Sequence, residues 1–139
     1  MKSVRAFRGA TQLSADTKAE MREAVVELLQ EVLTANSISN DDLISILFTA
    51  TPDLQSDFPA AGVRELGLVD LPLICAQELD VKGSLPRTIR LLVHANSSLT
   101  RSEVTHKYLR GAAVLRPDLA SKVDKSGIDL KIDGEKWPW

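Results

Sequence analysis

The clearest pattern of apolar and polar positions runs from Thr17 to Ser37. Apolar side chains recur there at spacings of three and four, with glutamates between them, which predicts an amphipathic helix that covers one face of a sheet. Thr17 and Glu20 have the spacing of a capping box, and Asn36 suits the end of the helix. The predicted apolar stripe is Met21, Ala24, Val25, Leu28, Leu29, Val32 and Leu33.

One strand is predicted before this helix and one after it. Residues 4–8, VRAFR, alternate and predict a strand that Gly9 ends, with Val4, Ala6 and Arg8 on the side that a core would take. Residues 43–49, LISILFT, form an almost continuous apolar run, which predicts a buried central strand.

A second, shorter helix is predicted around Pro59, which fits a first helical turn. Asp57 is its expected cap and Gly67 its expected stop. Residues 71–77 and 87–95 then predict two strands that pair as a hairpin about Lys82-Gly83-Ser84.

The order of these elements predicts an α+β fold, a mixed sheet with two helices packed on one face. Because a single layer of helices leaves the other face uncovered, an apolar face there predicts an oligomer. We expect one domain over residues 1–120. Residues 121–139 read as a polar tail that ends in Trp137 and Trp139, with IDLKI as a weak candidate for an edge strand. Thr100 and Glu103 form a second capping-box pattern.

Composition restricts the classes of function. The chain has 139 residues, of which 44% are hydrophobic and 26% charged, as in soluble globular proteins. A net charge of −2 gives no general field for nucleic acid. The single cysteine cannot form an internal disulfide, and neither a signal peptide nor a membrane span is evident. These features predict a cytoplasmic protein.

Several charged residues lie where the predicted strands should be buried. Arg90 is inside the apolar run IRLLV, where an unpaired guanidinium would be costly to bury, so it needs an anionic partner. Glu78 is the candidate for that partner. A structural salt bridge is the alternative explanation for that pair. Three other arginines have an ordinary explanation when each is taken alone. Arg8 could be an arginine at a strand end, Arg64 a solvated helical arginine, and Arg116 a loop residue.

The sequence gives little support for a nucleophilic cysteine or for a metal site. Cys75 has no histidine in a recognisable catalytic motif, and neither His94 nor His106 has metal-ligand spacing to it. We therefore expect no cofactor and no metal. Several arginines with one glutamate and one tyrosine suit a small substrate with more than one carboxylate, converted by positioning and fixed charge.

An ordered set of short motifs resembles the monofunctional chorismate mutases of the trimeric α/β-barrel class, as distinct from the all-helical class. It covers about residues 4–119. The motifs are RGAT (8–11), TPDLQSDFP (51–59), CAQE (75–78) with Arg90 twelve residues on, HKYL (106–109) and LRPDL (115–119).

The resemblance implies conversion of chorismate to prephenate, towards phenylalanine and tyrosine, without a cofactor. It implies a homotrimer that forms a pseudo α/β barrel, with active sites between subunits. The catalytic residues it implies are Arg90 at the ether oxygen, Glu78 at the ring hydroxyl and Arg8 at a carboxylate and the ether oxygen. The substrate-binding residues it implies are Tyr108, Cys75, Phe58, Arg64, Leu115 and Arg116.

One departure from the family and two alternatives remain. Ala61 stands where many members have a lysine near the entrance. An enamine or imine deaminase would also be a trimer with an arginine for a carboxylate. A trimer that binds a carboxylate metabolite without turnover is the alternative outside enzymes.

Overall fold

The computed structural model describes residues 1–116 of the chain. In that part the strands are β1 Ser3–Gln12, β2 Leu43–Ala50, β3 Leu73–Gln77, β4 Thr88–Ser97 and β5 Lys107–Tyr108. The helices are α1 Lys18–Ala35 and α2 Ala60–Glu65, with short 3-10 segments at Asn40–Asp42 and Arg110–Leu115. The predicted tail of residues 121–139, with its two tryptophans and the IDLKI segment, lies outside the described residues.

The five strands form one mixed sheet in the order β3-β2-β4-β1-β5. β4 runs antiparallel to both of its neighbours, β1 and β2, while β3 is parallel to β2 and β5 is parallel to β1. α1 packs on β1 and α2, and α2 also reaches β3. The predicted α+β class, with a mixed sheet and two helices, is confirmed.

The predicted hairpin between residues 71–77 and 87–95 is wrong. β3 pairs in parallel with β2, placing Cys75 opposite Phe48, and β4 lies on the other side of β2. α2 links β2 to β3 as a crossover, the connection that parallel neighbours require. The turn at Gly83 does exist, with φ +83° and a hydrogen bond from the Ser84 N–H to the Val81 carbonyl at 3.0 Å, but its flanking strands do not pair.

The prediction for the first strand is wrong in two respects. Phe7 is fully buried against the helices, whereas Val4 on the opposite face is 57% exposed, so the core takes the face that carries Phe7. Gly9 also does not end the strand, which continues to Gln12. A Cβ at Gly9 would lie only 3.0 Å from Leu28 Cδ1, so the glycine permits close packing of α1 on the sheet.

The predicted stripe of α1 is confirmed, but only half of the predicted capping box forms. Six members of the predicted stripe are buried, and Leu33 packs partly against them. Thr17 Oγ1 accepts from the Glu20 N–H at 3.2 Å. The Glu20 carboxylate accepts from the Ser14 and Ala15 N–H groups at 2.7 and 3.0 Å, so it binds the preceding turn instead of the Thr17 amide.

The second helix begins and ends close to the predicted positions. Gly67 follows it with φ +80°, as expected of a stop. Asp57 does not cap the helix, because its carboxylate accepts from the Phe58 N–H at 2.8 Å and lies 3.6 Å from Arg22 Nε. Around Thr100 and Glu103 the chain forms a turn without a helix.

Within residues 1–116, α1 and α2 pack on the face of the sheet that carries Phe7, and the opposite face is called the open face. On β2, Ile46 and Phe48 are buried under the helices, but Leu47 between them is 37% exposed. Ile74, opposite Leu47 on β3, is 63% exposed. The expected burial of residues 43–49 is therefore found on one side only, and the open face is partly apolar.

Candidate active site

A cavity of about 250 Å³ lies on the open face of the sheet. Sheet register builds it, because Arg8 lies opposite Leu92 and Thr49 lies opposite Arg90, with their side chains on that face. The lining residues are Arg8, Gly9, Leu47, Thr49, Glu78, Arg90, Leu91, Leu92 and Tyr108. Four residues with predicted roles, Arg8, Glu78, Arg90 and Tyr108, are thus brought together.

Arg90 and Glu78 form an ion pair at the wall of this cavity. Arg90 Nε lies 2.9 Å from Glu78 Oε2, and the two side chains are 20% and 19% exposed. The Nε–H does not point squarely at that oxygen, so the contact is an electrostatic pairing more than a directed hydrogen bond. Burial lowers the pKa of Arg90, and electrostatic interaction with Glu78, and to a smaller extent with Tyr108, opposes that shift. The guanidinium remains a cation.

Glu78 is oriented by two further donors. Thr49 Oγ1 donates to Oε2 at 2.7 Å, and the Leu79 N–H donates to Oε1 at 3.2 Å. The Glu78 N–H itself donates to the Ala50 carbonyl at 2.9 Å, one residue after β3 ends. The carboxylate therefore has a fixed direction towards Arg90.

Arg8 and Tyr108 enter the cavity from the neighbouring strands β1 and β5. Tyr108 pairs with Ala10 in the parallel ladder, and the Leu109 N–H donates to the Ala10 carbonyl at 2.8 Å. The Arg8 N–H donates to His106 Nδ1 at 2.9 Å. A cation and a phenol are thereby held beside the Arg90–Glu78 pair.

Cys75 and Phe58 lie apart from this cavity in the protomer. They line a second cavity of about 640 Å³ that shares no lining residue with the first. Cys75 is opposite Phe48 and packs on the helix side of the sheet, the opposite face from Glu78. Burial raises the pKa of its thiol, which disfavours a thiolate nucleophile. Phe58 is 71% exposed.

The remaining predicted binding residues are dispersed. Arg64 is exposed on α2, outside both cavities. Leu115 ends the last 3-10 segment and is half-buried. Arg116 lies near enough to His106 to act on its pKa together with Arg8. Arg116 is thus placed near the Arg8 side of the cavity.

Thr49 and His106 contact residues of the site, although neither had a predicted role. Thr49 ends an apolar run and reads as a strand former, and only the partner strand shows that it faces Arg90. His106 lies in the HKYL motif, but neither a catalytic nor a metal-ligand pattern assigns it a role. Its contact with a backbone N–H depends on how β1 and β5 meet, which no spacing in the chain indicates.

The described residues offer neither a metal centre nor a membrane span. No three histidine, cysteine or acidic side chains among residues 1–116 are grouped so that they could hold a metal ion. No helix in the same part of the chain is long and apolar enough to cross a bilayer.

Comparison with known proteins gives consistent results. Residues 4–119 match the family model described as chorismate mutase type I. The chain is 45% identical over 119 residues to the chorismate mutase AroH of Thermus thermophilus, covering 85% of this chain and 98% of the relative. It is 38% identical over 118 residues to the chorismate mutase AroH of Bacillus subtilis strain 168, covering 84% and 93%. A solved chorismate mutase from Clostridium thermocellum superposes with a TM-score of 0.78 at 41% identity, over 79% of this chain and 98% of that one.

Proposed function

The chain belongs to the type I chorismate mutases, and on that premise we propose how its residues convert chorismate to prephenate. The protein is an isomerase of aromatic amino acid biosynthesis. The observation that carries the proposal is the placement of Arg90, Glu78, Arg8 and Tyr108 around one cavity. These side chains can bind a dianion, orient it and offer a positive charge.

The reaction needs electrostatic help more than a proton-transfer group. It is an intramolecular rearrangement in which a C–O bond breaks while a C–C bond forms, so negative charge grows on the ether oxygen in the transition state. A fixed guanidinium aimed at that oxygen binds the transition state more tightly than the substrate, which is the condition for a faster step. Arg90 has this role in our proposal.

The ion pair with Glu78 supports this role, because it fixes the guanidinium. A guanidinium has five N–H donors in one plane, and the Glu78 contact is made through Nε. The ion pair keeps the guanidinium beside Glu78 at the wall of the cavity, so Arg90 needs little reorganisation when charge develops. Glu78 would also accept from the ring hydroxyl and lie near the positive charge that develops on the ring.

The other cations and Tyr108 would hold the substrate carboxylates. Arg8 and Tyr108 line the cavity directly, and Arg116 lies on the side of His106 and Arg8. Arg64 is exposed, where it would attract the dianion before binding. Binding of both carboxylates favours the curled conformation that brings the reacting carbons together.

We further propose that the protein is a homotrimer with its sites between subunits. Val4, Leu47 and Ile74 leave an apolar surface on the open face of the sheet, which oligomerisation would bury. Phe58 and Cys75 line a cavity separate from that of Arg90, so the predicted set cannot close around one ligand within a protomer. A neighbouring copy would supply Phe58, Cys75 and Arg64 to the cavity of Arg90.

Mixed trimers test this arrangement. Phe58→Asp and Arg90→Ala chains, each inactive alone, would be co-expressed with different tags and purified as mixed assemblies. If Phe58 and Arg90 act from different copies, some sites in the mixed trimers contain neither change and activity returns. Activity that stays absent in mixed trimers, or a monomer in sedimentation, would reject the proposed interface. The matched control is each variant co-expressed with itself.

The activity itself is tested by following the loss of chorismate absorbance with purified protein. The deaminase alternative predicts release of ammonia from an imino acid, and the binding-only alternative predicts thermal stabilisation by chorismate without its consumption. Location in the cytoplasm stays a prediction, which cell fractionation tests.

A further inference from the structure

His106 lies where a backbone ladder between β1 and β5 would otherwise continue. Gly9 pairs with Lys107 and Ala10 pairs with Tyr108, so the next pair back along both strands would be Arg8 and His106. Here the Arg8 N–H donates at 2.9 Å to the imidazole Nδ1, and a side chain takes the place of a backbone acceptor. At the Arg8 end of the junction between β1 and β5, one histidine side chain therefore supplies the acceptor.

The ring must be neutral to accept this hydrogen bond. An imidazole whose Nδ1 accepts carries its proton on Nε2. Burial lowers the pKa of His106 to about 4, and the positive charges of Arg8 and Arg116 act in the same direction. These two guanidinia are the charged groups that act on the ring in the described part of the chain, one from β1 and one after the last 3-10 segment.

We propose that His106 is a positioning residue for substrate binding: its neutral ring holds the Arg8 backbone and the start of β5, and so sets Arg8 and Tyr108 against the substrate carboxylates. This inference rests on the proposed function. Tyr108 is only two residues beyond His106, on a strand of two residues. Besides the His106 contact, the bond from the Leu109 N–H to the Ala10 carbonyl holds this strand to β1. The ring also adds no charge beside the two arginines.

A pair of substitutions separates the acceptor from the bulk of the side chain. In His106→Asn the amide oxygen can reach the place of Nδ1 and accept from Arg8. In His106→Leu a side chain of similar size has no acceptor. We expect the Asn variant to stay within about twofold of the parent in kcat and KM. We expect KM of the Leu variant to rise about tenfold, since misplacement of a binding group by about 1 Å can lower the rate as much as a hundredfold. We expect kcat to change less, because the lost contacts are to carboxylates that are present both before and during the reaction.

Amide hydrogen exchange at Arg8 gives a readout that does not require activity. Exchange should be fast in His106→Leu and protected in the parent and in His106→Asn. This measurement distinguishes failure of the inference from failure of the proposed function, because it holds whether or not chorismate is turned over.

The pH profile gives a second criterion that a merely structural role would not meet. The parent should lose affinity as the pH falls towards 4, where the ring gains a proton and can no longer accept. His106→Asn should keep its affinity to lower pH. Every other residue of the cavity is the same in the two proteins, so the difference isolates His106. Parental KM in His106→Leu, equal loss in the Asn and Leu variants, or identical acid limbs in the parent and His106→Asn would each overturn the proposal.

Discussion

Thr49→Val removes one hydroxyl from the cavity and almost nothing else. The hydroxyl donates to Glu78 Oε2 at 2.7 Å, and the same oxygen lies 2.9 Å from Arg90 Nε. Valine keeps the branched shape that suits a strand. The substitution therefore tests whether the direction of Glu78 controls the placement of Arg90.

The structure allows an order-of-magnitude estimate of the effect. A hydrogen bond to a charged group contributes about 1.5–3 kcal/mol. Glu78 is 19% exposed, so water can replace part of the lost bond, and the lower end of that range applies. A loss of about 1.5 kcal/mol in transition-state stabilisation corresponds to a decrease of about tenfold in kcat/KM.

The assay follows the loss of chorismate absorbance, with thermal unfolding measured on the same samples. Ser39→Ala is the control, because Ser39 Oγ donates to the Asp42 carboxylate at 2.9 Å on an exposed part of the surface away from the cavity. We expect parental kinetics for the control. Unchanged kcat/KM in Thr49→Val, or an equal decrease in Ser39→Ala, would refute the reasoning.

Two further predictions concern stability. Gly62→Ala should lower the free energy of unfolding, measured in denaturant, because the new Cβ would lie 2.7 Å from Val25 Cγ1. Overpacking of this kind costs about 1–3 kcal/mol, which exceeds the gain of about 1 kcal/mol in helix propensity. Adding Val25→Ala should recover part of the loss, and a Gly62→Ala protein as stable as the parent would contradict the close packing of α1 and α2. The free energy of unfolding should also fall as the pH is lowered from 6.5 towards 4. The reason is that His106 takes up a proton at its ordinary pKa of 6.5 in the unfolded chain but only at about 4 in the folded protein. Parallel stability curves for the parent and His106→Asn over that interval would contradict this assignment.

Local sequence rules predicted the elements well but predicted their pairing poorly. The stripe of α1 and the stop at Gly67 depend on neighbours within a turn or two, and both are confirmed. The hairpin failed because β3 and β4 are separated by a turn in sequence, yet β4 lies at the centre of the sheet and β3 at its edge. Pairing depends on which faces are buried together. In β1 the face that carries Phe7 is the buried one, and the alternation of residues alone could not indicate which face that would be.

The candidate site was predictable only as a set of motifs. Buried charge at Arg90 indicated a need for a partner, and Glu78 is that partner at 2.9 Å. Cys75 and Glu78 are three residues apart, a spacing at which a regular strand sends side chains to opposite faces. In the protomer they do lie on opposite faces. Thr49 could not be identified, because its role depends on its partner Arg90, which lies on another strand 41 residues further along the chain.

The central claim is that a fixed positive charge on Arg90 accelerates a rearrangement of a bound dianion. Its most direct test is kcat for chorismate in Arg90→Ala, with unfolding measured to show that the protein remains folded. Removing a fixed donor of this kind typically costs about 100- to 1,000-fold in kcat, and we predict a decrease of that size. A folded Arg90→Ala protein that turns over chorismate at close to the parental kcat would contradict the account.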